Sequence, residues 1–218
     1  MKNGINDIFF AFVSCEKNRG RWRRIHSMCE KFGIENYRIF IGGIYTYDNI
    51  SSSIVELPCA DGYEDLPTKI FMMYKYSFLK VKYKYLWKID DDVDILNLDE
   101  NTLDRLFNSI NGEDYCGFKV LTKPGKRRWH CGKCSKDSLW NNKTYNGDYI
   151  PWAEGGRSYL LSEAATSVFN QSINYSALAK NEIYEDLAVA KFLKEVNIEP
   201  TEIFPWEYNK VIKKDLYL

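Results

Sequence analysis

Apolar residues in the first part of the chain form short continuous runs separated by a stretch with helical spacing. Residues Ile8–Val13 are uniformly apolar and rich in aromatic rings, and the run is too short for a helix, so it predicts a buried strand. Apolar side chains then recur at helical spacing over Arg21–Phe32, and Gly33 follows as a stop signal. A second apolar run at Tyr37–Ile41 predicts another strand. This order of strand, helix and strand is typical of a parallel α/β sheet.

The middle of the chain repeats this order. Residues Asp65–Lys84 carry Pro67 near the start and apolar positions at helical spacing, so they predict an amphipathic helix with a lysine-rich outer face. The strand Tyr85–Ile89 follows directly, and the three aspartates 90–92 come immediately after it. Further elements are predicted at Leu103–Ile110 (helix), Tyr115–Leu121 (strand), Glu163–Phe169 (helix) and Glu185–Val196 (helix), with a polar, basic stretch up to Asp148 and an irregular tail after Glu199. We therefore expect an α/β fold with a Rossmann-like, mixed and mainly parallel sheet flanked by helices.

The composition indicates one domain and argues against several partners. A chain of 218 residues with 45% hydrophobic residues can bury a core without disulfides, and no repeat or linker divides it, so we expect a single domain over residues 1–218. Its thirty basic and thirty acidic side chains cancel, so we expect neither nucleic acid nor an anionic membrane as a partner. The apolar run near the start is far shorter than the roughly 20 residues of a membrane span. Six cysteines without regular spacing predict reduced thiols in a cytoplasmic protein.

The aspartates 90–92, with Asp94 two positions further on, carry the strongest chemical signal. In open α/β sheets, ligands bind beyond the carboxyl ends of the strands. Adjacent carboxylates raise each other's pKa unless a cation relieves their repulsion. Carboxylates without a nearby histidine favour manganese or magnesium, which keep coordination positions open for a phosphate. The alternative is a solvated acidic turn, since aspartate is common in turns.

Several segments resemble one family in the same order along the chain. Residues 88–94 (KIDDDVD) resemble the K-x-D-D-D-V segment of glycosyltransferase family 31, the inverting β-1,3-sugar transferases that include the Fringe type. Residues 61–69, 149–162 and 184–187 are similar to the family's D-x-Y-x-N-L-T-x-K segment, its acceptor-side loop and its E-D-V segment. The opening of glycosyltransferase family 25 is similar instead to residues 13–34, which contain Val13-Ser14-Cys15, then Arg19, Arg21 and Trp22, a helix, and Gly33-Ile34. Both resemblances imply the GT-A fold.

The family 31 resemblance implies a metal-dependent, inverting enzyme that moves a sugar from a nucleotide-sugar such as a UDP-sugar to a hydroxyl of a glycan or glycoconjugate. It implies that Asp92 binds manganese or magnesium and that Asp90 and Asp91 contact ribose and sugar. Asp94 is either a second metal ligand or a surface charge. Asp186 matches the catalytic base that removes the proton of the acceptor hydroxyl. The resemblances also imply a donor-side set, which consists of Ser14, Cys15, Arg19, Arg21 and Lys69. The acceptor-side set consists of Trp152, Glu154, Gly155 and Gly156.

Each assignment has a structural alternative. Glu185 and Asp186 also suit a helix N-terminus, where acidic residues contribute about 0.5–1 kcal/mol of stability. Trp152 suits ordinary packing, and the arginines suit a solvated surface. For the whole protein, the alternatives are a non-catalytic carbohydrate-binding protein and a metal-dependent nucleotidyltransferase.

Two features depart from the family 31 pattern or lie outside it. A histidine near the C-terminus often completes the family's metal site, but His26 and His130 both precede Asp186. Residues 130–134 (HCGKC) have the spacing of half a zinc site, with reduced thiols or a local disulfide as the alternatives. The nearby basic residues either cover nucleotide phosphates or form a solvated surface; they are Lys123, Lys126, Arg127, Arg128 and Lys133.

Overall fold

The computed structural model describes residues 4–43, 53–110, 112–121, 127–203 and 211–214. In these residues a seven-stranded sheet has the spatial order β10 (Thr201–Glu202), β6 (Tyr115–Gly117), β9 (Tyr159–Ser162), β4 (Tyr85–Asp90), β1 (Ile8–Val13), β2 (Tyr37–Gly42) and β3 (Ile54–Leu57). Two small sheets pair β5 (Val93–Ile95) with β11 (Ile212–Lys214) and β7 (Lys119–Val120) with β8 (Trp152–Ala153). The helices are α1 (Arg19–Lys31), α2 (Leu66–Lys80), α3 (Glu100–Ile110), α4 (Glu163–Val168), α5 (Tyr175–Asn181) and α6 (Glu185–Lys194).

Most neighbouring strands of the large sheet are parallel. Strand β1 pairs in parallel with both β2 and β4, and β2 pairs in parallel with β3. Within the described ranges, β9 alone runs against its neighbours β4 and β6. The expected mixed, mainly parallel sheet is therefore confirmed. The carboxyl ends of β1, β2 and β4 meet at one edge, where ligands bind in sheets of this type.

The central strand β1 separates two hydrophobic cores. All six of its residues are buried, and successive side chains point to opposite faces of the sheet. Phe9 belongs to the cluster that contains Tyr74 of α2, whereas Phe10 belongs to the cluster that contains Trp22 of α1. Because both faces of the strand are covered, its sequence is continuously apolar rather than alternating.

The first elements lie close to their predicted bounds. Helix α1 ends before Gly33, whose positive φ of 63° closes the helix at the position that the sequence predicts. Helix α2 ends at Lys80, four residues before the predicted Lys84, because Val81 adopts an extended conformation with φ of −126° and ψ of 145°.

Later elements differ more from the predictions. The single strand predicted for Tyr115–Leu121 is two strands, β6 and β7, in different sheets. Between them, a Cβ on Gly117 would lie 2.8 Å from the Cβ atoms of Ala153 and Tyr159, so only glycine fits there. The strands β3 and β9 and the helix α5 were not predicted. The tail is not wholly irregular, because β11 pairs with β5; its residues 204–210 and 215–218 lie outside the described part of the chain. Among the described residues, no helix has the length and apolar character needed to cross a bilayer.

Candidate functional site

A cavity of about 260 Å³ lies beyond the carboxyl end of β4. We call it the central cavity. Its acidic lining residues are Asp90, Glu154, Glu185 and Asp186, and its aromatic lining residues are Tyr63, Trp129, Tyr149, Trp152 and Tyr184. The fold thus brings together predicted site residues from β4, from the loop around β8 and from the start of α6. Carboxylates and aromatic rings are the groups that bind the hydroxyls and the apolar faces of sugars.

Lys88 lies behind the wall of this cavity, and its side chain is 1% exposed. Because it precedes Asp90 by two residues on β4, both side chains project from the same face of the sheet. Its Nζ atom donates to Asp90 Oδ1 (2.6 Å), Glu185 Oε1 (2.7 Å) and the Gly155 carbonyl oxygen (3.1 Å). Burial opposes the charged ammonium, but Asp90 and Glu185 outweigh it and raise the pKa of Lys88 above its ordinary value. Lys88 therefore stays charged, with all three donors engaged.

Glu185 is the first residue of α6, and its side chain is 11% exposed. One carboxylate oxygen accepts from Lys88, and the other accepts from the Tyr159 hydroxyl at 3.3 Å. Burial, which Lys88 offsets only in part, raises the pKa of Glu185 to about 7, with Asp186 and Asp90 adding to the shift. The sequence predicted Glu185 only as a helix-capping residue, whereas the structure makes it part of a buried charge cluster.

Asp186, the predicted base, is oriented by backbone N–H groups. Gly155 N donates to its Oδ2 atom (3.1 Å), and Leu187 N donates to its Oδ1 atom (2.8 Å). Gly155 approaches α6 so closely that a Cβ there would lie 2.1 Å from Glu185 Oε1. The loop of predicted acceptor-side residues therefore packs directly against the predicted base.

The aromatic wall of the cavity contains one well-exposed ring among the described residues. Trp152 is only 3% exposed and stacks on Tyr149, with ring centroids 5.6 Å apart, so most of its surface is covered. Trp129 is 53% exposed, and the Lys133 ammonium lies 3.7 Å from its ring centroid. Sequence reasoning selected Trp152 and missed Trp129, because no motif contains Trp129.

The predicted donor-side residues gather around Asp91, at the edge where β1 and β4 end. Asp91 is 6% exposed, and its Oδ2 atom accepts from Ser14 Oγ (2.6 Å) and Asn18 Nδ2 (2.9 Å). Its Oδ1 atom accepts from Arg21 Nη1 (2.5 Å). These bonds tie the β1–α1 turn to the aspartate triplet. Arg19, by contrast, is 72% exposed and pairs with Glu16 on the surface.

A second pair, Lys69 and Asp61, fixes the other side of the same turn. Lys69 is 1% exposed and forms an ion pair with Asp61. Its Nζ atom also donates to the Ser14 carbonyl oxygen (3.0 Å). The oxygens of Asp61 accept from the backbone N–H groups of Gly42 (2.7 Å) and Glu16 (2.6 Å).

We call this set the β1–α1 network; its members are Ser14, Asn18, Arg21, Asp61, Lys69 and Asp91. Ser14 and Lys69 are buried, with only 5% and 1% of their surface exposed. Cys15 beside them is half-buried, and burial raises the pKa of its thiol. Asp61 opens one of the segments that resemble family 31, but its bonds to the β1–α1 turn and to β2 follow only from the folded chain.

The predicted metal ligands lie at the end of β4 and in β5. Asp92 is half-buried, and Asp94 of β5 forms an ion pair with Arg24 Nε at 3.0 Å. In the described part of the chain, no three His, Cys, Asp or Glu side chains are grouped so that they enclose a metal ion. A divalent ion that is held by one or two carboxylates together with substrate phosphates and water fits these residues, whereas a closed protein cage does not.

The HCGKC segment has a packing role in the structure. His130 is fully buried, and its ring nitrogens lie 3.0 Å from the Tyr184 hydroxyl and 2.9 Å from the Lys143 carbonyl oxygen. Cys131 and Cys134 are free thiols. Tyr184 immediately precedes Glu185, so the segment supports the start of α6. Of the predicted basic loop, Lys123 and Lys126 lie outside the described residues, and Arg127 Nη1 donates to the carbonyl oxygens of Tyr145 and Gly147.

Comparison with known proteins places the chain among sugar transferases. The sequence model of the galactosyltransferase family matches residues 48–203, which is well over half of the chain and includes the central cavity. No curated protein sequence matches the chain.

Two solved structures match the chain at low sequence identity. A crystal structure of a glycosyltransferase involved in the glycosylation of the major capsid of PBCV-1 has a TM-score of 0.54 and 11% identity, over 97% of this chain and 93% of that chain. A structure of a provisionally named glucose-1-phosphate thymidylyltransferase from Bacillus anthracis, in complex with sucrose, has a TM-score of 0.44 and 11% identity, over 90% of this chain and 87% of that chain. The first of these supports the α/β fold.

Proposed function

Because the chain belongs to the galactosyltransferase family, we propose that it transfers a sugar from a UDP-sugar to a hydroxyl of a glycan or glycoconjugate, with inversion at the anomeric carbon. Family membership makes the chain a glycosyltransferase; the donor, the acceptor and the stereochemistry are the proposal. One observation carries it: Asp90, at the end of β4, and Asp186, at the start of α6, line the same cavity. One carboxylate belongs to the predicted donor side and the other to the predicted acceptor side.

In this proposal Asp186 is the general base. Its two backbone hydrogen bonds fix the direction in which the carboxylate points. The acceptor hydroxyl gives its proton to Asp186 while its oxygen attacks the anomeric carbon from the face opposite the diphosphate. One displacement of this kind inverts the anomeric configuration.

The acceptor lies against the aromatic wall and the loop around Gly155. Glu154 and Gly156 line the cavity on that side, and the carboxylate of Glu154 is held by Arg157 Nε at 3.0 Å. The exposed ring of Trp129 offers a flat apolar surface for one face of a pyranose. The buried Trp152 acts through Tyr149 rather than by direct stacking.

The nucleotide lies at the turn between β1 and α1. Cys15, Arg19 and Arg21 retain exposed surface there, so they are the proposed contacts to base, ribose and phosphate. Ser14 and Lys69 are buried and shape the turn from within. Asp91 fixes the turn to the end of β4, beside Asp90.

A divalent ion, manganese or magnesium, is proposed to bind at Asp92, with Asp94 as a second carboxylate. When bound, such an ion neutralises charge on the departing diphosphate. Asp94 must then leave or share its ion pair with Arg24. The residues of the chain position the donor and the acceptor, and Asp186 takes the proton.

A thermal-shift screen combined with a transfer assay tests this function. Nucleotide-sugars that bind the folded state raise its melting temperature. We expect UDP-sugars to give the largest increase, and we expect manganese to enlarge it. Transfer is then measured as release of UDP that depends on a glycan acceptor. If nucleoside triphosphates release pyrophosphate and no nucleotide-sugar releases a nucleoside diphosphate, the proposal is wrong.

A further inference from the structure

The buried ammonium of Lys88 links groups on the two sides of the central cavity. From one atom, Nζ, hydrogen bonds run to Asp90 on the donor side and to Glu185 on the acceptor side. A third bond runs to the Gly155 carbonyl oxygen, and the N–H of Gly155 bonds to Asp186. Lys88 is thus two hydrogen bonds away from the proposed base, although it does not line the cavity.

We propose that Lys88 is a positioning residue for sugar transfer, which fixes the distance between the donor-side carboxylate Asp90 and the base Asp186. This inference rests on the proposed function of the same cavity. The family resemblance supplies the aspartates and the base, but it gives no role to the lysine.

The groups bonded to Lys88 are closely packed. Its ammonium lies 5.7 Å from the centre of the buried Tyr159 ring, and the Tyr159 hydroxyl contacts Glu185. Gly155 lies directly against α6, since a Cβ at this position would lie 2.1 Å from Glu185 Oε1. A shift of the ammonium therefore moves Asp90, Glu185 and Gly155 together.

The charges favour the same conclusion. Asp90 and Glu185 both accept hydrogen bonds from the Lys88 ammonium, and Asp186 directly follows Glu185 in α6. Loss of its charge leaves two carboxylates without this partner at the cavity wall, so they repel each other and separate. A displacement of about 1 Å at a reacting centre lowers the rate by about 100-fold.

The test compares Lys88→Met, Glu185→Gln and the double variant. Lys88→Met alone leaves buried carboxylates uncompensated and is expected to lower the melting temperature. The double variant removes one of these charges, so that it folds and can be assayed. We expect Glu185→Gln to keep Asp90 and Gly155 bonded to Lys88, so its kcat is the reference for the double variant. We expect the double variant to lose about 100-fold in kcat relative to Glu185→Gln, with a smaller change in the KM for the donor.

Lys191→Met is the matched control. Lys191 lies on the same helix as Asp186 and pairs with Glu182 at 2.8 Å, away from the cavity lining, with a side chain that is 27% exposed. Its loss is expected to leave kcat unchanged. An equal loss of kcat in Lys191→Met would attribute the effect to the stability of α6 and would overturn the proposal.

A crystal structure of the double variant gives a readout that does not depend on turnover. Displacement of Asp90, or loss of the hydrogen bond between Gly155 and Asp186, supports the positioning role. This result can be obtained even if wild type shows no transfer with any donor and the proposed function is wrong. If both groups stay in place, or if the double variant transfers sugar as fast as Glu185→Gln, Lys88 is a structural residue only and the proposal is overturned.

Discussion

The β1–α1 network and the central cavity both place charged groups at the end of β4, but they balance those charges differently. In the network, Asp61 pairs with Lys69 and Asp91 pairs with Arg21, so each carboxylate has its own cation. In the cavity, the ammonium of Lys88 is shared by Asp90 and Glu185, and Asp186 lies beside them.

This difference separates a structural role from a chemical one. Carboxylates that each pair with their own cation fix a turn. In the cavity, burial and the neighbouring carboxylates raise the pKa of Glu185, and shifts of this kind are typical of functional sites. In the proposed function, the network therefore holds the donor side in shape, while the cavity supplies the base that takes the proton of the acceptor.

The largest effect is expected from Asp186→Asn, which removes the proposed base while keeping the side-chain shape. Transfer should fall by at least about 1,000-fold, since general-base catalysis contributes about 10² to 10⁴ in rate. The melting temperature and UDP binding should change little. An initial-rate assay beside a thermal-shift assay checks both, and transfer within tenfold of wild type would exclude Asp186 as the base.

In the β1–α1 network, Asp61→Ala should mainly lower the free energy of unfolding. It leaves the buried ammonium of Lys69 without its ion pair and frees the N–H groups of Gly42 and Glu16. Breaking a buried pair of this type costs about 3–5 kcal/mol. Urea unfolding measures the loss. A free energy of unfolding equal to that of wild type would show that the network does not hold the turn.

The raised pKa of Glu185 predicts a pH dependence of stability. A carboxyl group with a folded pKa of about 7 stabilises the fold below its ordinary pKa, and this contribution is lost as the pH rises toward 7. Between about pH 4.5 and pH 7, wild type should lose on the order of 3 kcal/mol relative to Glu185→Gln. Unfolding curves of both proteins across this pH range check the sign of the change in the free energy of unfolding. A constant difference between them would mean that the cavity does not perturb Glu185.

Gly155→Ala tests the close fit between the loop and α6. The added methyl group would overlap Glu185 Oε1 and displace the loop from Asp186, so transfer should fall by about 100-fold. Gly4→Ala is the control, because a Cβ there meets no atom within 4 Å. Equal kcat values for the two variants would contradict the close fit.

The smallest effect is expected at the rim of the cavity. Trp129→Ala removes the exposed ring, and stacking worth about 0.5–1.5 kcal/mol corresponds to a rise of up to about tenfold in the KM for the acceptor. Leu139→Ala is the matched control, since Leu139 is 89% exposed and does not line the cavity. Acceptor titrations at saturating donor distinguish the two variants. If Trp129→Ala leaves the KM unchanged, the acceptor does not stack there.

The sequence predicted the elements whose burial leaves a simple periodic pattern. Strand β1 is buried on both faces and is continuously apolar, and α1 has one apolar face and ends at Gly33. Strand β9 could not be predicted in the same way. Its four residues lie in a segment that also resembles an acceptor-side loop, and its pairing with β4 and β6 depends on residues far along the chain.

Prediction of the candidate site from the sequence was limited in the same way, by contacts between distant residues. The resemblance to family 31 selected Asp90, Asp186 and the loop around Gly155, and all three border the central cavity. It gave no indication that Asp61 joins the β1–α1 turn to β2, or that Lys88 contacts Glu185 across 97 positions of sequence. Such contacts depend on tertiary packing. The assignments of metal, donor and catalytic roles to individual residues stay predictions, as does the resemblance of the N-terminus to family 25.

A crystal structure with UDP and manganese is the most direct test, because the proposed function requires a nucleotide-sugar to bind at the end of β4. We predict electron density for the diphosphate beside Asp90 and Asp92 and for the uridine against the β1–α1 turn. The central cavity next to Asp186 should stay open. A nucleotide bound elsewhere on the protein, with these carboxylates facing solvent, would contradict the account.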